Sequence, residues 1–394
     1  MRLLFVTHSL PPDDRPMDNI GGMQRVAIDL YESLLPHRGA EVKALVLRSP
    51  WSQRHWRTPL FMARAIREIR GKAERKEIDA ILFSSMVTAA LAVPLRGHLK
   101  KHGVIAAAIA NGLDATTPTW PYPQFVRKVF NSLDLVLPIS NATADACRAR
   151  GLAPEKCAVV LLGIRLDRFA PPASRQEARA SLLRHFAISA TPNVVLCSVG
   201  RLVPRKGVAW FIEHVMPALP PDVLLLVAGE GAERQRIESV ISDKKLGERV
   251  RLLGAISDAE LQQVYQGSDL FVMPNVRVPG DMEGFGLVMV EAGLCGLPVI
   301  ASRLEGIADV VTEGENGHLV ESADASGFRD AILTYHSEPE LLDDASRRAR
   351  MFTAARFGWA GVTDKYVSVI QRAVDDFRSR DTPGQFPAHH KLTK

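Results

Sequence analysis

Hydrophobic positions along the chain gather into short, nearly continuous runs separated by stretches of helical spacing. The runs 2–7, 41–47, 79–85, 104–110, 133–139 and 157–164 are apolar almost throughout, as strands buried on both faces require. Between them apolar residues recur every three or four positions. That spacing predicts helices over 21–37 and 59–76, from Met86, near 125–131 and over 141–150. Strands and helices in alternation build a parallel sheet covered on both faces. The first half is therefore expected to be one doubly wound α/β domain.

Residues 165–193 break the rhythm. Pro171, Pro172 and Pro192 flank a middle rich in Arg and Glu, which reads as a connection, with 169–190 as its linker. The alternation then restarts, with strands expected at 194–199, 223–228, 250–253, 270–273 and 298–301. Helices are expected from near Gly207, Glu233, Ser257 and Phe285. This predicts a second doubly wound domain over 191–356, facing the first (1–168) across a cleft. Helical patterns follow at 325–335, 338–351 and 359–378, and the tail 379–394, with Pro383, Gly384 and Pro387, is expected to be disordered. Ligands of such sheets bind outside the carboxyl ends of the strands. The unusual residues all fall there: Gly21 and Gly22, Asn111 and Gly112, 201–206, 229–231 and 283–286.

Composition narrows the classes. In 394 residues, 46% are hydrophobic and 24% charged, which is a globular balance, and no run approaches the ~20 apolar residues of a membrane span. The apolar start breaks at Thr7, His8 and the Pro11, Pro12 pair, so it reads as a first strand rather than a secretion signal. Cys147, Cys157, Cys197 and Cys295 lie far apart without metal-ligand spacing, which suits small apolar fillers in a reducing cytoplasm. A net charge of +5, from 49 basic and 44 acidic side chains, is too even to argue for nucleic acid. The distribution is less even. Residues 38–77 hold eleven Lys and Arg against four Glu, and the helix over 59–76 mixes Arg64, Arg67 and Arg70 with Phe61, Met62, Ile66 and Ile69. With Trp51 and Trp56 ahead of it, residues 51–76 suit an anionic bilayer surface; equally, the apolar stripe is what covers a sheet.

Two stretches carry candidate chemistry. Gly200 and Arg201 followed by Arg205, Lys206 and Gly207 place three cations beside a helix start, an arrangement unfavourable with the helix dipole unless an anion such as a diphosphate joins it. In 281–296, Glu283 precedes the glycine-bearing turn Gly284, Phe285, Gly286, and Leu287 opens an apolar helix carrying Glu291. A carboxylate in such company is satisfied either by core N–H groups or by the vicinal hydroxyls of a ribose. Gly229, Glu230 and Gly231 lack the third glycine of a dinucleotide fingerprint, so the turn is equally well a structural connection. His8, Asp14, Asp18 and Asp114 sit in loops at the mouth of the first domain.

In order and spacing, these motifs resemble the donor half of the retaining family-4 glycosyltransferases. The likeness extends over nearly the whole chain, through Gly21 and Gly22, residues 139–141 and 166–169, and 316–320. It implies the GT-B fold, two Rossmann-like domains facing across a cleft, with the last helix (357–378) crossing back onto the first. It implies transfer of a hexose from a nucleoside diphosphate sugar, a UDP-sugar or GDP-mannose, to a glycan or lipid-linked acceptor, with retention. No cofactor and no metal are expected. By resemblance Arg201 and Lys206 hold the diphosphate, Glu283 lies against the transferred sugar, and Glu291 binds the ribose. Gly284, Phe285, Gly286 and Leu287 contact sugar and phosphate, with Arg205, Gly21 and Gly22 also on the donor. Many relatives carry His-Gly where this chain has Asn111-Gly112, and Asn does not titrate near neutrality, which puts a proton-handling role there in doubt. The expected setting is cytoplasmic, peripheral on the inner membrane face. A GT-B epimerase or phosphorylase and a non-catalytic nucleotide-sugar-binding subunit are the alternatives.

Overall fold

A computed structural model of the chain describes residues 1–11, 22–50 and 53–380. Five strands, β1 (Arg2–Leu10), β2 (Glu41–Arg48), β3 (Ala80–Phe83), β4 (Ile105–Ala110) and β5 (Leu135–Pro138), form one sheet in the order β2-β1-β3-β4-β5. Six more form a second: β6 (Val194–Val199), β7 (Val223–Ala228), β8 (Val250–Gly254), β9 (Leu270–Met273), β10 (Val299–Ser302) and β11 (Gly317–Val320), ordered β11-β10-β9-β6-β7-β8. Neighbouring strands run parallel. β3, β4, β5, β7, β9 and β10 are buried at every position, which is why they read as unbroken apolar runs. Two doubly wound sheets result, as expected.

Three expectations need correction. The strand expected over 157–164 is only an edge segment beside β5. The N–H groups of Ala158 and Val160 donate to Val136 O and Pro138 O at 3.1 and 3.0 Å. The reciprocal bond of a parallel ladder would come from the N–H of residue 138, and proline has none. Regular pairing stops there. β11 was not foreseen, because four residues beginning at a glycine give too short a pattern. The stretch 169–190 is no plain linker: it carries the helix Arg175–His185, started by Ser174 Oγ accepting from the Glu177 N–H. Leu182 of that helix is fully buried, packed where Gly267 leaves room for it, and Arg175 and Arg179 both pair with buried Asp269. The connection is thereby fastened to the second sheet.

The last helix, Trp359–Arg380, returns to the first sheet. Ser33 and Thr363 share a hydroxyl hydrogen bond of 2.7 Å, His37 reaches Asp364 at 2.9 Å, and Arg378 reaches Asp79 at 2.8 Å. Val362, Tyr366 and Ile370 carry the buried face. The helix expected at 59–76 runs Arg54–Glu74. Ala65, Ile69 and Ala73 are buried and Phe61, Met62 and Ile66 pack beside them, so most of the apolar stripe covers the sheet. Trp56, Leu60, Arg64 and Arg67 stay exposed on its outer side. Among the described residues no helix is long and apolar enough to cross a membrane. Gly21, Asp14, Asp18, Trp51 and the tail from Asp381 lie outside the described residues.

Candidate active site

The two sheets present their strand ends to one another. Between them lies a cavity of about 290 Å³, walled on one side by Gly22, Met23, Asn111, Gly112 and Ile139, and on the other by Arg201, Arg205 and residues 282–287. The approach is backbone to backbone. A Cβ at Gly112 would lie 3.0 Å from the Gly284 Cα, and one at Gly284 3.2 Å from the Gly112 N, so any side chain at either place would hold the walls apart. Arg25 and Arg168 both reach Asp258, at 3.0 and 3.2 Å, and Asn141 N–H donates to Asp309 at 2.7 Å, further ties across the same division.

The cationic loop follows β6. Residues Pro204–Lys206 make a single tight turn, ended by Gly207 at φ 64, after which the helix Val208–His214 begins. Gly229 and Gly231 serve this loop structurally: a Cβ on the first would fall 1.9 Å from Gly200 O, and on the second 2.2 Å from Leu202 O. Lys206 Nζ lies 2.6 Å from Glu283 Oε2, and Arg205 Nη1 lies 3.2 Å from the same oxygen while its Nε reaches Asp281 at 2.9 Å. Asn275 Nδ2 also donates to Glu283, at 3.4 Å. Burial disfavours both charges and pulls the Lys206 ammonium below its ordinary range. Glu283, although its burial works the other way, is held below the usual carboxylate range by Lys206 and Arg205. Arg201 is exposed and forms no ion pair among the described residues. Among the described residues its donors are unengaged.

Behind Glu283 the turn is built from backbone. The Glu283 N–H donates to Glu305 Oε2 at 2.5 Å and its carbonyl accepts from the Gly306 N–H at 3.1 Å. Gly286, at φ 83, starts the helix Leu287–Leu294, two residues later than expected. Glu291 is buried on that helix and stands outside the lining of the cavity. Its Oε2 accepts from the Tyr265 hydroxyl at 3.1 Å, so among the described residues a side chain, not core N–H groups, is its donor. Burial pushes its carboxyl up to about 7.

Of the residues singled out in the sequence, Gly22, Asn111, Arg201, Arg205, Glu283, Gly284, Phe285, Gly286 and Leu287 meet at the cavity. Lys206 reaches it through Glu283, and Glu291 sits behind the wall. His8 is buried at the end of β1, and Asp114 faces Asn111 rather than the solvent. Asn275, Asp281, Glu305 and Tyr265 were missed. The first two follow β9 at its carboxyl end, where strand-end position alone could have flagged them; Tyr265 stands too far along the chain from Glu291 to signal anything locally.

Comparison with known proteins supplies what geometry does not. Residues 183–352 match Glycosyl transferases group 1, and residues 20–168 match Glycosyltransferase Family 4. A GDP-mannose-dependent α-(1-6)-phosphatidylinositol monomannoside mannosyltransferase of Mycolicibacterium smegmatis is 32% identical over 72% of this chain and 72% of its own. A D-inositol 3-phosphate glycosyltransferase of Catenulispora acidiphila is 29% identical over 75% and 71%. Among solved structures, an Anabaena protein in complex with UDP and glucose superposes with a TM-score of 0.70 at 19% identity, over 94% of this chain and all (100%) of that one. The catalytic domain of starch synthase IV from Arabidopsis thaliana, bound to ADP and acarbose, gives 0.72 at 16% identity over 95% and 99%. These likenesses establish the fold.

Proposed function

Because this chain belongs to the family-4 glycosyltransferases of the GT-B fold, we propose that it moves a hexose from a UDP-sugar or GDP-mannose to a glycan or lipid-linked acceptor with retention. Its relatives place it among the glycosyltransferases of glycolipid or polysaccharide synthesis. The observation that carries the proposal is the meeting of Arg201, Arg205, Lys206 and Glu283 across a narrow cleft from Asn111 and Gly112. A diphosphate lying on the 200–207 loop would take Arg201 as a fork and Lys206 as a point charge, so the negative charge that grows on the leaving group is met by cations already in place. No metal is assigned to that task.

The sugar would then lie between Glu283 and Asn111, and the ribose toward Glu291. Glu283, already paired with two cations, is poorly suited to attack carbon as a nucleophile. We assign the acceptor's proton to the leaving phosphate oxygen, with departure and attack on the same face of the sugar. The outer side of the Arg54–Glu74 helix, with Trp56, Leu60, Arg64 and Arg67, supports a peripheral seat on an anionic bilayer.

The name of the M. smegmatis relative carries GDP-mannose and the Anabaena structure holds UDP and glucose, so both bases belong in the test. The protein is incubated with UDP-glucose, UDP-galactose or GDP-mannose and with phosphatidylinositol mannoside vesicles or soluble glycans, with and without a chelator. Nucleoside diphosphate release is followed and the product's anomeric configuration read by NMR. The α-linked donor is expected to give an α-linked product with chelator present. A β-linked product contradicts retention. A phosphate-dependent sugar 1-phosphate would identify a phosphorylase, and donor binding without any release would identify a binding subunit.

A further inference from the structure

Asn111 follows β4 directly and is 8% exposed. Its backbone N–H and its side-chain Nδ2 both donate to one carboxylate oxygen of Asp114, at 3.1 and 2.9 Å. The oxygen that accepts the backbone N–H is an acceptor for the amide too, so the amide turns its nitrogen toward Asp114 and its oxygen away; this contact decides which end of the amide is which. That oxygen, Oδ1, is out of contact with solvent and has no hydrogen-bond partner among the described residues. Yet Asn111 lines the cavity opposite Glu283 and Gly284. A buried carbonyl oxygen is costly to leave unpaired. The support for it is firm: the Tyr122 hydroxyl donates to Asp114 O at 2.9 Å, and Thr116 Oγ1 donates to Gly112 O at 3.1 Å across the short helix Gly112–Thr116.

We propose that Asp114 is a positioning residue, holding the Asn111 amide oxygen within the wall of the cleft as a fixed hydrogen-bond acceptor for a hydroxyl of the sugar ligand. This rests on the reading of the cleft as a nucleotide-sugar site. An imidazole could offer either a donor or an acceptor according to its tautomer, whereas this amide, locked by Asp114, offers an acceptor only. The site therefore selects for a hydroxyl hydrogen at this point. The hydroxyl belongs either to the transferred sugar or to the incoming acceptor, and the two sources separate kinetically.

The experiment measures binding of UDP, UDP-glucose, GDP and GDP-mannose by calorimetry to the wild type, Asn111→Ala and Asp114→Ala. It also measures transfer kinetics with the donor that turns over. Both variants are expected to bind the free nucleoside diphosphate like the wild type. Both are expected to lose about ten- to a hundredfold elsewhere, the effect of unpairing one buried polar group. If the hydroxyl is the donor's, the loss appears in affinity for the nucleotide sugar over its diphosphate. If it is the acceptor's, donor affinity holds and acceptor kcat/KM falls. Asp114→Ala is expected to reproduce the loss because it removes the one oxygen that accepts both Asn111 donors and fixes the orientation of the amide. Should Asp114→Ala fail to fold, Asp114→Ser, which shortens the acceptor out of reach of the Asn111 amide, takes its place beside Asn111→Ala. Unchanged sugar binding and transfer in both variants, or an equal loss of diphosphate binding, overturns the proposal. A wild type that binds no diphosphate overturns the nucleotide-sugar reading itself, and this inference with it.

Discussion

Glu291 is a carboxylic acid in an apolar helix, and its chemistry follows from that placement. Its carboxyl titrates at about 7, against an ordinary 4.5, because burial disfavours the charge. Between those values the folded protein keeps a proton that the unfolded chain has released. Its contribution is thus fully favourable below about pH 4.5 and declines as pH rises through about 7, by roughly 3 kcal/mol on complete ionisation. Glu291→Gln removes the decline. In urea unfolding at about pH 5 and about pH 8, the wild type is expected to lose stability relative to that variant at the higher pH; parallel profiles would contradict the assignment. Ribose hydroxyls donate preferentially to the ionised form. Affinity for a nucleotide sugar, whose diphosphate diester does not titrate in this range, is therefore expected to strengthen from about pH 6 to about pH 8 in the wild type and to stay flat in Glu291→Gln.

At the scale of elements, the cationic loop depends on Gly207. At φ 64, with a Cβ position 1.9 Å from the backbone oxygen of Pro274, it admits no other residue without moving main chain on both sides. Gly207→Ala is expected to cost about 2 to 4 kcal/mol in urea unfolding and to abolish diphosphate affinity; a loss below about 0.5 kcal/mol would mean that the loop has another conformation available. The elements themselves were largely legible. Strands buried on both faces announce themselves as apolar runs, and the cations of 201–206 with Glu283 and the turn after it marked one wall of the cleft. What escaped was whatever depends on partners distant in sequence. Pro138 prevents the 157–164 segment from pairing only because that segment lies beside β5. Arg175 and Arg179 look like linker charges until Asp269 is brought to them. The Lys206 contact that occupies Glu283, and the Tyr265 hydroxyl on Glu291, join residues whose spacing carries no periodicity.

The first strand and the last described helix meet at one carboxylate of the first sheet. Asp79, at the foot of β3, receives Arg2 from the first strand and Arg378 from the last helix. Burial works to raise its pKa, yet the hydrogen bonds from Arg2 and the charges of Arg2 and Arg378 hold it at about 2. This depressed value contributes stability that is complete above about pH 4 and lost as pH falls toward 2, about 2 kcal/mol in all. Asp79→Asn is expected to lower the midpoint of thermal unfolding at neutral pH and to converge with the wild type only below about pH 2, where the carboxyl becomes protonated in both states. A constant difference across that range would place the effect in packing instead. The returning helix also braces Gly22–Leu34, whose start forms one wall of the cleft, so docking of the C-terminal helix and shape of the site are linked.

The central claim is that the cleft takes a nucleoside diphosphate on the 200–207 loop. The most direct measurement is a thermal-shift titration of UDP, GDP and ADP without added metal, on the wild type and on Lys206→Met. One diphosphate is expected to raise the wild-type melting temperature in a concentration-dependent way, as a ligand of the native state must. Lys206→Met, which also strips Glu283 of its nearest cation, is expected to shift at least tenfold less sensitively, a binding difference of about 1.4 kcal/mol or more. No shift with any of the three, or one that Lys206→Met leaves unchanged, would contradict the claim.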